Sequence, residues 1–299
     1  MGPKVSIILA TYNSDLEKTK ESLLSCMEQE GIDIEIIIAD DGSKDSREEE
    51  LKVFFKENDF DRFSMVMNKE NHGTVKNLLS GTEKAKGQYV KFLSPGDLLL
   101  GKDLLKDWVS RTEEKEAAWS FCDVLCYHME NGKKVITEEY GHPQDLSAYL
   151  KKDAERAMWN YIVLMDTAIG AAVLGKTKSV KKYLKEVSEA GVIYTEDNIW
   201  RLMFFDGHRG IFYGSGKVLY EYGDGGISTS GNDKWAKRIR DDNHKTDEII
   251  INRVVTDPFK KKIQNYLAKD VPTSEKLLTK YNLGYYIKTK LFTRKTAKE

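Results

Sequence analysis

The stretch IEIIIADDGSKDS, residues 34–46, decides how the rest of the chain is read. A run of β-branched apolar residues stops at two adjacent carboxylates, Asp40 and Asp41, followed by a glycine and small polar residues. A continuous apolar strand suits the middle of an α/β sheet covered on both faces. Ligands of such sheets bind just beyond the carboxyl ends of the strands. The two aspartates therefore project where a small molecule is held.

Outward from this strand the pattern alternates. Residues 5–10 (VSIILA) read as a buried strand. Ser14 and Glu17 have capping-box spacing and open a helix with Leu16, Leu23, Leu24 and Met27 on one stripe, closed by Gly31. Ser46 and Glu49 repeat that spacing ahead of Leu51, Phe54 and Phe55. A third strand spans 63–67. Residues 74–86 carry Val75, Leu78, Leu79, Thr82 and Ala85 at helical spacing, ending at Gly87. A fourth strand, 88–93, is halted by Ser94-Pro95-Gly96-Asp97. This alternation predicts a mostly parallel sheet with right-handed crossovers.

Beyond Asp97 the rhythm loosens. Leu104, Leu105, Trp108 and Val109 form a helical stripe. Residues 117–128 and 133–137 meet across Asn131-Gly132, a hairpin signal. Residues 145–165 and 195–205 read as helices, and 211–221 as an aromatic-rich strand or pair. Residues 224–231 are small, polar and glycine-rich, which predicts a mobile loop. Residues 234–255 and 259–286 read as charged helices.

Composition narrows the class. The 299 residues are 40% hydrophobic with a net charge of −1, enough for a large core and no basis for nucleic-acid binding. Three cysteines, Cys26, Cys122 and Cys126, do not make a disulfide framework. Cys122 and Cys126 lack further cysteines or spaced histidines and read as core strand residues rather than a metal pair. No leader-like segment precedes Val5 and no apolar run reaches transmembrane length, so the expected location is cytoplasmic. The tail, 281–299, mixes aromatic and basic residues. It fits either a helix end docked on the domain or a segment lying on anionic lipid at the inner face of the membrane.

The chemistry must avoid the usual phosphate loops. Strand one runs into Ala10-Thr11-Tyr12-Asn13, without G-x-G-x-x-G, and no Walker sequence is present. Acidic groups fall instead at element boundaries: Asp40-Asp41, Asp97, Glu196-Asp197 and Asp224. Each alone fits a helix cap or turn. Gathered at one sheet edge they repel one another unless a cation or donor-rich ligand intervenes, which points to a divalent metal and a nucleotide.

Over roughly residues 4–230 the chain resembles family 2 glycosyltransferases. The carrying motifs are VSIILATYN, IIIADDGSKDS, NHGTVKNLLSGTEKAKGQYVKFLSPGD, YTEDNIW and GGISTS. The resemblance implies the GT-A fold, a Rossmann-like, mostly parallel α/β sheet flanked by helices. It implies a domain over 1–230, with a nucleotide-binding half (1–97) and an acceptor-binding half (98–230), followed by a charged helical extension over 231–299. It also implies an inverting enzyme that moves a sugar from a nucleotide diphosphate donor, UDP favoured, to a glycan or lipid-linked acceptor in surface polysaccharide or glycan synthesis. A divalent metal, Mn²⁺ or Mg²⁺, would assist.

By this resemblance Ala10, Thr11 and Tyr12 lie along the base and ribose, and Asp41, neighboured by Asp40, accepts from the base. Asn71, Gly73, Lys76 and Asn77 lie beneath the nucleotide, with Lys76 either reaching a phosphate or simply solvated. Asp197 is the general base. Glu196 organises the acceptor side, where Trp200 is either a sugar-facing wall or a core residue. The family's D-x-D metal motif reads Ser94-Pro95-Gly96 here, followed by Asp97. That leaves Asp97 as the metal ligand, or else passes the diphosphate charge to Lys76, Lys91, Arg209 or His208. The acceptor cleft is expected between residues 159–175, the Asp197 helix and a closing loop at 223–231. Two other classes compete: a nucleotidyltransferase, which would need a glycine- and arginine-rich first loop, and a catalytically silent sugar-nucleotide- or partner-binding module.

Overall fold

The computed structural model describes residues 2–137, 143–222 and 233–269. In chain order the elements are β1 (Val5–Thr11), α1 (Leu16–Met27), β2 (Ile34–Asp40), α2 (Glu48–Glu57), β3 (Phe63–Met67), α3 (Thr74–Lys84), β4 (Tyr89–Leu93), β5 (Leu98–Leu99) and α4 (Leu104–Glu114). They continue with β6 (Trp119–Glu130), β7 (Lys133–Ile136), α5 (Leu146–Leu150), α6 (Ala154–Val163), a 3-10 turn (Gly170–Ala172), β8 (Val173–Lys176) and α7 (Thr177–Glu189). The last described are α8 (Asn198–Phe205), β9 (Gly210–Glu221), α9 (Asp233–Ile251) and α10 (Pro258–Leu267).

The strands form one sheet in the order β3-β2-β1-β4-β8-β6-β9-β5, with β7 hairpinned onto β6. The first four run parallel, and Thr11 sits opposite Asp40 in the register. β8 is antiparallel to both β4 and β6, and β9 is parallel to β6. β4, β6 and β9 therefore point the same way. One carboxyl edge gathers Thr11, Asp40, the 94–97 loop and Glu221. The amino edge receives the start of β9.

Side chains alternate across each strand. Ile8, Ile37, Val90 and Phe92 pack on one face with residues of α3, α7 and α8, whereas Ile7, Leu9, Ile36 and Ile38 pack on the other with α1, α2 and α4. Both faces are covered, as the unbroken apolar run of β2 predicts.

Several local expectations are corrected. Asp15, not Ser14, caps α1 by accepting from the Lys18 N–H at 2.9 Å. Leu24 faces outward, and Thr19, Ser22, Leu23 and Cys26 make the buried stripe. The second capping box does not form: α2 starts after Arg47 in a left-handed conformation, φ 56°, with no side-chain cap bond. The helix expected over 145–165 is two helices, broken where Lys152 takes φ 58°. α7 was not anticipated, although Val180, Tyr183, Leu184 and Val187 have the right spacing. Residues 233–269, expected within a charged extension, place Ile250 and Ile263 in the same core as the sheet helices. The expected mobile loop and the tail beyond 269 lie outside the described residues.

The centre of the second half is aromatic. Trp119 is fully buried against Tyr161, Trp200 and Phe204, with ring centroids 5.4, 5.6 and 5.8 Å away. Gly210 lies flat on its indole: a Cβ there would stand 2.3 Å from Trp119 Cζ2. A buried ring has nowhere to move, so Gly210→Ala should cost about 1–3 kcal/mol of stability by overpacking. Urea unfolding of the two proteins measures this, and an unchanged midpoint would contradict the packing described.

Candidate active site

At the end of β1, Thr11 Oγ1 donates to Asp40 Oδ2 at 3.0 Å. Ser43 donates to the same carboxylate through its N–H (2.8 Å) and Oγ (2.6 Å). Asn13 and Ser43–Lys44 then exchange two bonds, Asn13 N to Ser43 Oγ at 2.7 Å and Lys44 N to Asn13 Oδ1 at 3.0 Å. Asp40 is thus a buried knot that joins the ends of β1 and β2. Ala10 precedes it in β1, and Tyr12 stands half-exposed at the rim.

Asp41 reaches the other way. Its two oxygens accept the His72 and Gly73 N–H groups, each at 2.9 Å. Burial pushes its pKa up, and those two donors pull it back. Gly73 has φ +89°, and a Cβ there would lie 2.3 Å from Ile193 Cγ2, so a glycine is required. Asn77 is buried, donating to Ala39 O at 2.8 Å. Asn71 and Lys76 are exposed at the same edge.

The 94–97 loop closes on itself. Asp97 N donates to Ser94 O at 2.9 Å, and the Asp97 carboxylate accepts the Ser94 N–H at 2.9 Å and a backbone N–H from Glu221. Burial pushes Asp97 up to about 7, against the pull of the Ser94 N–H and Lys91. Ser94 itself is exposed.

Across the edge, Asp197 is the residue before α8, yet its side chain makes no cap bond. Its Oδ1 is sealed from solvent and has no hydrogen-bond partner. Desolvation pushes Asp197 up to about 7, with Lys91 opposing. Glu196 is also raised, first by burial and then by the charge of Asp197. The segment entering this helix is held by Asp242 of α9, whose buried carboxylate faces the N–H groups of Ile193, Tyr194 and Thr195 at 2.7–3.3 Å. Two carboxyl groups at the helix entrance, one with a free oxygen and a pKa near neutrality, can exchange a proton with a bound hydroxyl.

The profile of glycosyl transferase family 2 matches residues 6–183, more than half of the chain. The chain belongs to this family. The GalNAc(5)-diNAcBac-PP-undecaprenol beta-1,3-glucosyltransferase of Campylobacter jejuni is 32% identical over 98 residues, covering 33% of this chain and 31% of that protein. The chain aligns with only about a third to two-fifths of the length of such curated relatives. Among solved structures, S. aureus TarS 1–349 in complex with UDP-GlcNAc superposes with a TM-score of 0.57 at 16% identity, covering 95% of this chain and 81% of that one. The mannosyltransferase PcManGT from Pyrobaculum calidifontis, in complex with GDP-Man and Mn²⁺, gives 0.57 at 14% identity, covering 97% and 80%. The fold is that of GT-A glycosyltransferases.

Against this family background the residues at the metal position do not fit a cation. Asp97 already accepts two backbone N–H groups. Position 96 has φ +104°, and a Cβ there would meet Glu221 Oε2 at 2.5 Å and Tyr127 Oη at 3.2 Å. Glu221 is itself paired with Lys18 Nζ at 2.5 Å. Among the described residues no group of three metal-ligating side chains is assembled.

Other expectations also move. Trp200 is buried beside Trp119 and Gly175, so its ring belongs to the core and is not a sugar-facing wall. His208 and Arg209 precede β9 and so lie at the amino edge, opposite the edge that gathers Thr11, Asp40 and Asp97; His208 rests edge-on against Tyr183, 5.7 Å between rings. Lys91 is fully buried in β4 and cannot touch a phosphate. Asp242, one of many charges on α9, was missed because nothing in a helical charge pattern marks the acid that turns inward. Asp224 lies outside the described residues.

Asp197 carries a stability signature. Its folded pKa is raised from 3.8 to about 7, so the folded chain holds this proton more tightly than the unfolded chain. Its contribution is present below about pH 4 and is lost as pH rises through about 7. Asp197→Asn, which cannot ionise, should gain stability relative to the parent between those limits and hold the gain above them. Thermal unfolding across pH 4–9 measures this; a constant difference would show that Asp197 is an ordinary exposed acid.

Proposed function

We propose that this protein is an inverting glycosyltransferase, moving a sugar from a nucleotide diphosphate donor, UDP favoured, to a hydroxyl of a glycan or lipid-linked acceptor. The observation that carries this reading is the sealed, unpartnered Oδ1 of Asp197 at the carboxyl edge of a family 2 fold. The UDP-GlcNAc complex of TarS supports the choice of UDP, and the undecaprenol-linked substrate in the name of the C. jejuni relative supports a lipid-linked acceptor. Membrane contact through 281–299 belongs to this proposal; among the described residues no helix is long and apolar enough to cross a membrane.

The donor lies along Ala10, Thr11 and Tyr12, over the floor that Asp40 and Asp41 make by clamping the 42–44 and 71–73 segments. Lys76, exposed near the start of α3, meets the diphosphate from the side. Asp197 takes the acceptor hydroxyl proton as the oxygen attacks the anomeric carbon opposite the departing diphosphate. Glu196 beside it holds the neutral form and keeps charge repulsion low. No step is routed through a metal, since the 94–97 loop does not offer one a grip.

That same loop favours a second reading, a sugar-nucleotide-binding module without turnover. Slow hydrolysis of the donor by water separates the two. Asp197→Asn should lower transfer or donor hydrolysis at least about 10³-fold while leaving UDP affinity within about threefold, since it removes only the proton acceptor. In the parent, kcat should rise with pH and level off above about 7, where Asp197 is ionised. Calorimetry with UDP and coupled detection of released UDP from a panel of UDP-sugars provide the measurements. Turnover retained in Asp197→Asn would refute the assigned base; binding with no turnover of any donor would favour the silent module.

A further inference from the structure

β4 lies inside the sheet, bonded to β1 on one side and β8 on the other, yet its middle residue is a lysine. Lys91 is 0% exposed. Its ammonium donates to Phe92 O at 3.0 Å and to Ala171 O. It also stands 5.7 Å from the centroid of the Trp108 ring. Among the described residues no carboxylate forms an ion pair with it. Arg201, equally buried, does have such a partner in Asp247. Burying an ammonium without a paired carboxylate is costly, and the same strand position filled by an aliphatic residue would avoid that cost.

The groups around it give the lysine a role. Ala171 belongs to the 3-10 turn that begins at Gly170, and this turn is pressed against the candidate base. A Cβ at Gly170 would lie 2.7 Å from Asp197 Oδ1 and 3.3 Å from Glu196 Oε1. By bonding Ala171 O, Lys91 holds the wall against which the Asp197 carboxylate rests. Lys91 is also the cation acting on that carboxylate. The titratable groups acting on Lys91 are Cys122 of β6, Asp97 after β4, Cys26 of α1 and Asp197. Those coupled to Asp197 are Glu196 beside it, Lys91, Tyr161 of α6 and Tyr220 of β9. Both cysteines and both tyrosines are neutral near pH 7, their pKa values raised by burial. The positive charge in this set is Lys91, and the acids that answer it are Asp97 on the donor side and Asp197 on the acceptor side.

We propose that Lys91 is a positioning residue for the transfer step, an internal cation that braces the 170–172 turn against Asp197 and supplies the counter-charge that Asp197 needs to act as an anion. The proposal rests on Asp197 being the base, and it explains why a lysine is kept inside a strand where it can touch neither substrate. Lys91 also draws on Asp97, but its proposed effect on the transfer step passes through Asp197.

Lys91→Met keeps the length of the side chain and removes the charge. Lys91→Gln also removes the charge but keeps a donor within reach of Ala171 O, and serves if the methionine variant fails to fold. Lys91→Arg retains the charge. Two measurements are made on the full chain. The first is thermal unfolding from pH 4 to 9 of parent and Asp197→Asn, in the Lys91 and K91M or K91Q backgrounds. The pH window over which Asp197→Asn gains stability should extend upward by about one unit once the cation is gone. The second is the pH profile of UDP-GlcNAc hydrolysis, or of whichever UDP-sugar the parent turns over. Its acidic limb should move up by about one unit, which is about a tenfold loss of rate well below the limb, with the donor KM unchanged and the limb restored by Lys91→Arg. An unmoved window and limb, or a loss of rate equal at every pH, would overturn the proposal and leave Lys91 a packing residue. If the parent turns over no donor, the transfer reading fails, and the stability window alone decides whether Lys91 and Asp197 are coupled.

Discussion

Carboxylates that accept backbone N–H groups hold the carboxyl edge of this sheet together. Asp40 takes the Ser43 N–H, Asp41 those of His72 and Gly73, Asp97 that of Ser94, and Asp242 those of the segment before α8. Loops at a sheet edge leave donors without ladder partners, and a buried donor left unpaired costs about 1–3 kcal/mol. A carboxylate answers two or more such donors at once, and the donors in turn stabilise its charge. The acids at this edge are in the first place a scaffold. Against that pattern Asp197 stands apart, because one of its oxygens is buried with no donor supplied.

This distinction explains what the sequence could and could not convey. The strand over 34–40, the alternation before it and after it, and the edge at which the boundary acids gather all follow from apolar runs, glycines and caps, which are local signals. Asp40, Asp41, Asp97 and Asp197 were visible as boundary acids. Their division of labour was not, because it depends on which N–H groups the tertiary fold brings within reach. Trp200 shows the same limit: one indole reads equally as core or as sugar wall until Trp119 and Gly175 are seen around it. Asp15 displaced Ser14 as a cap because both are good capping residues one position apart. α7 was overlooked in a lysine-rich stretch although its apolar spacing is regular.

The 94–97 loop departs from the expected metal motif for a reason that is local. Two of the three D-x-D positions are a serine and a glycine, and the glycine backbone is in a region hostile to a side chain. The space an acid at 96 would occupy is taken by Glu221, already matched by Lys18. Charge balance at this edge is arranged from lysines and carboxylates within the chain, Lys18 with Glu221 at the rim and Lys91 behind it.

The position of Asp242 bears on what counts as the smallest working piece of this protein. The family similarity ends at 183 and the expected domain boundary falls at 230, so either looks like a natural place to cut. The clamp on the segment that presents Glu196 and Asp197 lies beyond both, on a helix whose inner face also fills the core through Ile250. The segment that carries Glu196 and Asp197 therefore depends on a downstream helix to stay in place. Drift in α9 would be felt first as a loosened acid pair, while the loops that Asp40 and Asp41 hold kept their shape.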